Sequence, residues 1–295
     1  VKPALQDDLA AAIGAATELP FKVVRLDGAG GGCINRAIVL SGSDGRRFFV
    51  KTNHRTRLEM FAAEAAGLTE LAREDGPRVP RPIAHGVSGD DAYLVLEWLD
   101  LGERGDAAEL GRRLAALHRH VADAFGWWRN NTIGATHQDN TRSTDWVTFL
   151  RDRRLGFQLS LAEHNGAPTA LISRVERLLS CLGVFFTDYQ PAASLLHGDL
   201  WGGNYSYAAG MPVLFDPAVY YGDREADLAM TELFGGFPDA FHAAYRAAWP
   251  LDAGYATRRT LYNLYHVLNH FNLFGGGYAA QARHMTEALL AEAGT

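Results

Sequence analysis

Leu195-Leu196-His197-Gly198-Asp199-Leu200-Trp201-Gly202-Gly203-Asn204, followed by Val213-Leu214-Phe215-Asp216-Pro217, is the stretch that decides how this chain is read. Four residues separate Asp199 from Asn204, and Asp216 lies twelve beyond the asparagine. Phosphoryl transfer from ATP needs a carboxylate that orients the attacking hydroxyl and takes its proton. It also needs an amide oxygen and a second carboxylate to hold magnesium on the phosphates. The order here fits those three tasks. His197-Gly198-Asp199 follows one short apolar run and Asp216 ends another, so two buried strands would deliver the three groups to one edge. Asp and Asn in glycine-rich loops are most often turn formers, and an isolated His-x-Asp carries little weight. The full combination of Asp199, Asn204 and Asp216 is what points to phosphoryl transfer.

Composition sets wide bounds. A chain of 295 residues builds one or two domains with a sizeable core. It contains no run of eighteen apolar residues, and its first thirty residues lack the pattern of a secretory leader. A cytoplasmic location and no membrane partner are therefore expected. Cys33 and Cys181 stand far apart without zinc spacing, so neither a disulfide framework nor a structural metal is indicated. A net charge of -6 argues against a nucleic-acid surface and is compatible with a cationic substrate.

Helical spacing of Leu5, Leu9, Ala12, Ile13 and Ala16 predicts a lead-in helix over 3–17. Strands follow at Phe21 to Leu26 and Cys33 to Leu40, with Gly28 and Gly30-Gly31-Gly32 between them. Such a segment permits positive dihedrals and close approach of amides to an anion; an ordinary hairpin is the plainer reading. A dinucleotide fingerprint is disfavoured, because a strand follows the glycines. Arg46 to Thr52 is a third strand carrying Lys51, and a helix from about Arg57 to Arg73 offers Glu64 or Glu59 as partner for that lysine. Ile83 to Val87 and Tyr93 to Leu96 complete five strands around one helix. Glu97 to Gly102 then leaves the sheet, and the boundary is placed there.

Helical periodicity dominates the remainder. Asp106 to His120 forms a helix in which His118 is a packed or capping residue. The segment from Phe125 to Asn140, rich in Trp and amides, suits a polyhydroxylated or cationic ligand, although core packing is favoured for Trp127 and Trp128 individually. Helices follow from Asp145 through Leu155 and over about Thr169 to Cys181. After the central stretch, Gly222 to Ala229 enters another helix; Asp227 reads as structural, holding backbone amides of the catalytic loop, with Asp223 and Glu225 in solvent. Aromatic helices run from Pro238 to Trp249 and Arg258 to Leu273, and the last from Tyr278 to Ala293.

Four segments carry a resemblance: Gly30-Gly31-Gly32-Cys33-Ile34-Asn35, Phe125 to Asn140, His197 to Asn204, and Phe215-Asp216-Pro217-Ala218 continuing to Asp227-Leu228-Ala229. On these the sequence resembles the fructosamine kinase (ketosamine 3-kinase) family, a branch of the aminoglycoside-phosphotransferase and protein-kinase-like superfamily. Trp201-Gly202-Gly203 and the Pro217-Ala218 pair separate this branch from protein kinases. One departure is His137, where similar proteins usually have proline. The resemblance implies an α+β, bilobal protein-kinase-like fold: a nucleotide-binding lobe over 1–100, with a small antiparallel five-stranded sheet and one main helix, and a larger, mostly helical lobe over 101–295. It also implies that Asp199 is the base, that Asn204 and Asp216 hold Mg2+, and that Lys51, oriented by Glu64, binds the ATP phosphates. Gly30, Gly31, Gly32, Cys33 and Asn35 would cover those phosphates, and the linker at Glu97 and Leu99 would grip adenine through its main chain. Trp201, Trp127 and Gln138 are the substrate candidates, with His197 and Asp227 as structural support. Cys33 reads as a small turn residue ahead of a redox-sensitive one. The implied reaction is phosphorylation of the C3 hydroxyl of a ketosamine, leading to deglycation. The alternatives are a kinase of aminoglycoside type and, disfavoured because no catalytic group is missing, a nucleotide-binding pseudokinase.

Overall fold

The computed structural model of the chain describes residues 2–29, 34–102 and 104–294. Short runs rich in Val, Leu and Phe pair antiparallel as β1 (Val23–Ala29), β2 (Arg36–Gly42), β3 (Arg47–His54), β4 (Pro82–Ser88) and β5 (Asp91–Glu97), in the order β1-β2-β3-β5-β4. Side chains alternate across such a sheet. Ile38, Leu40, Phe48, Val50, Tyr93 and Val95 fall on one face and pack against Leu5, Leu9 and Ile13 of α1 (Pro3–Thr17). Lys51, next to Val50, therefore points to the opposite face, on which α2 (Leu58–Leu71) packs over β4 and β5.

The chain divides into two compact units: Val1–Gly105 with Ser206–Pro217, and Asp106–Tyr205 with Ala218–Thr295. In the first, β6 (Leu101–Gly102) pairs with β11 (Tyr205–Ala208), and β11 with β12 (Met211–Leu214). Arg78 extends this arrangement, donating its amide to Pro212 and accepting from the amide of Leu214. Leu99, Ala208 and Val213 form a small apolar cluster with Phe215 against it.

In the second unit α3 (Ala107–His118) starts at Asp106, whose carboxylate accepts the amide of Ala108 at 2.8 Å. Strands β7 (Val121–Ala122), β10 (Ala193–Leu196) and β13 (Tyr220–Gly222) form a small sheet, and β8 (Asn131–Ile133) pairs with β9 (Thr136–Gln138) as a hairpin. The helix expected through Leu155 is longer and irregular. α4 (Trp146–Phe149) runs into a π-helical turn over Leu150–Leu155, which buries Arg154, and on into α5 (Gly156–His164). The rest comprises α6 (Thr169–Ser180), α7 (Glu225–Leu233), α8 (Asp239–Ala248), α9 (Tyr255–Phe274) and α10 (Tyr278–Glu292). α8 packs on α3 closely enough that a Cβ on Gly111 would meet the carbonyl of Phe241 at 2.3 Å.

Asp223 and Glu225 are not in solvent as expected; both are fully buried. Asp223 accepts from the hydroxyls of Tyr189 and Tyr262 and from the amide of Glu225, and Glu225 pairs with Arg258 at 2.7 Å. Burial pushes both carboxyls above their ordinary values, Glu225 to about 7 even though Arg258 pulls it down. The start of α7 is not a free helix end, because α9 packs over it.

Candidate active site

In the first unit, strand β3 and helix α2 bring Lys51 and Glu64 together: the ammonium is 2.5 Å from the Glu64 carboxylate and 2.5 Å from that of Asp216. Glu64, not Glu59, is thus the helix partner. Burial drags the Lys51 pKa down, but the two carboxylates more than offset it and hold it above the lysine value. Burial raises Glu64, and the Asp216 charge adds to that against the pull of Lys51. Asp216 sits at the end of β12 with φ of 57°, a left-handed conformation that Asp tolerates better than most residues. Its side chain remains 46% exposed. The Glu97 carboxylate accepts from the Arg78 guanidinium and the Arg81 amide. Leu99 is buried in the apolar cluster beside Val213. Asn35 accepts from the Asn53 side chain at 2.8 Å. Gly30, Gly31, Gly32 and Cys33 lie outside the described residues.

In the second unit, β10 ends at His197 and the chain turns at Gly198 with φ of 84°. Only glycine fits: a Cβ would stand 2.1 Å from the carbonyl of Ala218. Asp227 holds the turn from below, accepting the amides of His197 at 2.7 Å and Gly198 at 2.8 Å and contacting His118 Nε2 at 3.2 Å. Burial pushes the Asp227 carboxyl up, but the His118 bond, the imidazole charges and the Gly198 amide outweigh it and hold it below the ordinary value. His118 is buried between Asp227 and the Tyr245 hydroxyl, a packed residue with a second bond. Asn204 turns its amide nitrogen toward Asp199, donating to the main-chain oxygen at 2.8 Å and the carboxylate at 3.3 Å.

Among the described residues no cluster of three or more His, Cys, Asp or Glu is arranged to hold a metal. Mg2+ typically uses one or two protein carboxylates and takes its remaining ligands from water and nucleotide phosphates.

The substrate candidates part company. Trp201 is 41% exposed, with its indole folded over Gly203, where a Cβ would come within 2.2 Å of the ring. Trp127 is 4% exposed and Gln138 only 1%. Both ends of the Gln138 amide are used inside the protein, by Asn131, Ala218 and Tyr265, so it is not placed to meet a substrate. Trp128, expected in the core, is instead 67% exposed. Sequence reasoning missed Asn131, Arg154 and Tyr265. Arg154 stands in Arg151-Asp152-Arg153-Arg154, which reads as a solvated charged face, and no local pattern marks it as buried.

A profile of the fructosamine kinase family matches residues 5–292. The chain belongs to the fructosamine kinase family. A member of it is an ATP-dependent phosphotransferase with an alcohol acceptor. A protein of Synechocystis named as a probable ketoamine kinase is 46% identical over 98% of each chain. The chloroplastic protein-ribulosamine 3-kinase of Arabidopsis thaliana is 41% identical, over 91% of this chain and 83% of that one. A crystal structure from Haemophilus somnus, provisionally named a fructosamine-3-kinase, superposes with a TM-score of 0.88 at 26% identity, covering 96% of each chain. The ADP-bound aminoglycoside phosphotransferase APH(2'')-Ib shares the kinase-like fold alone, with a TM-score of 0.65 at 11% identity over 98% of this chain and 99% of that one. Among the described residues no helix is long and apolar enough to cross a membrane.

Proposed function

We propose that this fructosamine kinase phosphorylates the C3 hydroxyl of ketosamines and so starts their removal from glycated amines. The observation that carries the substrate class is the 46% identity to a protein named for ketoamines, over nearly the whole of both chains.

In this reading Asp199 takes the proton of the C3 hydroxyl as its oxygen attacks the γ-phosphorus, the bond to the bridging oxygen breaks, and ADP leaves. Asp227 keeps Asp199 in place through the amides of the turn. Lys51, steered by Glu64, moves from Asp216 to the nucleotide phosphates. Asn204 and Asp216 would hold magnesium, which when bound offsets phosphate charge. Trp201 offers the sugar a flat apolar face beside the catalytic turn.

The product then decays by its own chemistry. C3 adjoins the C2 carbonyl, so loss of a C1 proton gives an enaminol, phosphate departs from C3, and water hydrolyses the resulting imine to free amine. The test is a panel of ribulosyl-, erythrulosyl- and fructosyl-lysine beside an aminoglycoside, with ADP, phosphate and amine followed over time. ADP should form first; phosphate and amine should follow at matching rates after the enzyme is filtered away. A stable phosphorylated product, or preference for the aminoglycoside, would overturn the substrate reading. Asp199→Asn should cut turnover about a hundredfold or more with ATP binding retained.

A further inference from the structure

The amides of the β8–β9 hairpin form a hydrogen-bond relay whose direction is fixed at both ends. Arg154 can only donate, and its guanidinium reaches the Asn140 side-chain oxygen at 2.7 Å. The Asn140 nitrogen must then face away from Arg154, and it donates to Asn131 Oδ1 at 2.9 Å and to the carbonyl of Arg129 at 3.1 Å. That leaves Asn131 Nδ2 to donate to the carbonyl of Val219 at 2.8 Å. Gln138 joins at the same point: Nε2 donates to Asn131 Oδ1 at 2.9 Å and to the carbonyl of Ala218 at 3.0 Å, while Oε1 accepts the Tyr265 hydroxyl at 2.8 Å.

The far end of the relay is the segment on which the catalytic turn leans. Ala218 donates its amide to the carbonyl of His197 at 2.8 Å, and its own carbonyl fills the space over Gly198. The turn is thus held from one side by Asp227 and from the other by Ala218. Arg154 is 1% exposed and faces the rings of Tyr220 and Phe149 at 4.0 and 4.6 Å. Among the described residues no carboxylate lies within ion-pair distance of it. A buried cation is costly unless its bonds do something a neutral side chain could not. Here its charge polarises the relay and forbids the flipped state of Asn140.

We infer that Gln138 and Asn131, oriented by Arg154, are positioning residues for phosphoryl transfer: they fix Ala218–Val219 and through it the turn that presents Asp199. This rests on the reading of Asp199 as the base. Displacing the turn by a fraction of an ångström harms the chemical step more than the binding of either substrate.

The experiment compares wild type with Gln138→Met, similar in length but without donor or acceptor, and with the milder Tyr265→Phe. Amide hydrogen exchange is recorded on the full chain alongside kinetics with whichever acceptor the wild type phosphorylates. Gln138→Met should lower kcat about tenfold or more, and Tyr265→Phe about threefold, with KM for both substrates within about twofold. Exchange should quicken at His197 to Leu200 and at Ala218, and stay unchanged in α3 and α8. A role in stability alone would instead lower the melting temperature and quicken exchange throughout the second unit at unaltered kcat. That pattern, or wild-type kcat in folded Gln138→Met, overturns the inference. Should Gln138→Met fail to fold, undiminished kcat in Tyr265→Phe does the same. The exchange measurement needs no acceptor, so failure of the wild type on ketosamines would strike the substrate reading and not this one.

Discussion

Replacing Asp227 by Asn would remove one charge and one acceptor from beneath the catalytic turn while keeping its volume. Asp227 is 1% exposed, and its two oxygens serve two different amides, those of His197 and Gly198. An asparagine satisfies one and turns its own NH2 toward the other. A hydrogen bond to a charged group contributes about 1.5–3 kcal/mol, and a buried donor left without a partner costs about 1–3 kcal/mol. The two overlap, so a net loss of about 3 kcal/mol is expected. For a protein of this size that lowers the melting temperature by roughly 5–10 °C. The acid limb gives an independent check. Asp227 titrates below the ordinary carboxylate value when folded, so its contribution is complete above about pH 4 and drains away as pH falls further. Thermal melts of wild type and Asp227→Asn between pH 7 and pH 3 should therefore converge toward the acid end. Turnover should fall with stability, because the carboxylate holds the turn that carries Asp199. A variant that melts within about 2 °C of wild type at neutral pH would refute the argument.

Three further outcomes are expected. Burial pushes His266 down to about 3, so the folded state resists protonation that the unfolded chain accepts near 6.5; about 2 kcal/mol of stability should be lost between pH 7 and pH 5, and His266→Leu should flatten that slope in urea melts. Gly198→Ala combines a positive φ with a Cβ 2.1 Å from the Ala218 carbonyl, and should abolish most turnover and cost about 2 kcal/mol or more by denaturant titration. Glu64→Gln leaves Lys51 with Asp216 as its charged partner, and should raise KM for ATP about tenfold while KM for the acceptor stays the same.

The elements whose periodicity comes from a single buried face were readable in the sequence. α1, α2, α3 and the five strands lie where alternation or helical spacing put them, to within a few residues. Lys51 and Glu64 were readable as a pair because strand and helix fix their directions, although only the structure separates Glu64 from Glu59. What escaped depends on partners distant in sequence. Asp223 and Glu225 look like solvent-facing acids until α9 is laid over them. Gln138 looks like a ligand-binding group because a polar residue in a loop does not disclose whether its partners are substrate or protein; core packing, the favoured reading of Trp127, agrees with its burial, whereas Trp128 is exposed. Arg154 was lost in a run of charges of which it is the buried one.

The hairpin over 206–217 has a consequence for how the protein is made. It belongs to the first unit, pairing with Leu101–Gly102 and with Arg78, yet it is encoded after a hundred residues of the second. As the chain leaves the ribosome, the sheet of the first unit can form early. Leu99 must nevertheless wait uncovered, and the main chain at Arg78 unpaired, until Val213 and Leu214 have been synthesised. A nascent chain stopped near residue 105 should therefore be open to proteases and chaperones along that edge, and become resistant only once residue 217 has cleared the exit tunnel. The two units cannot mature one after the other; the first is finished only when most of the second already exists.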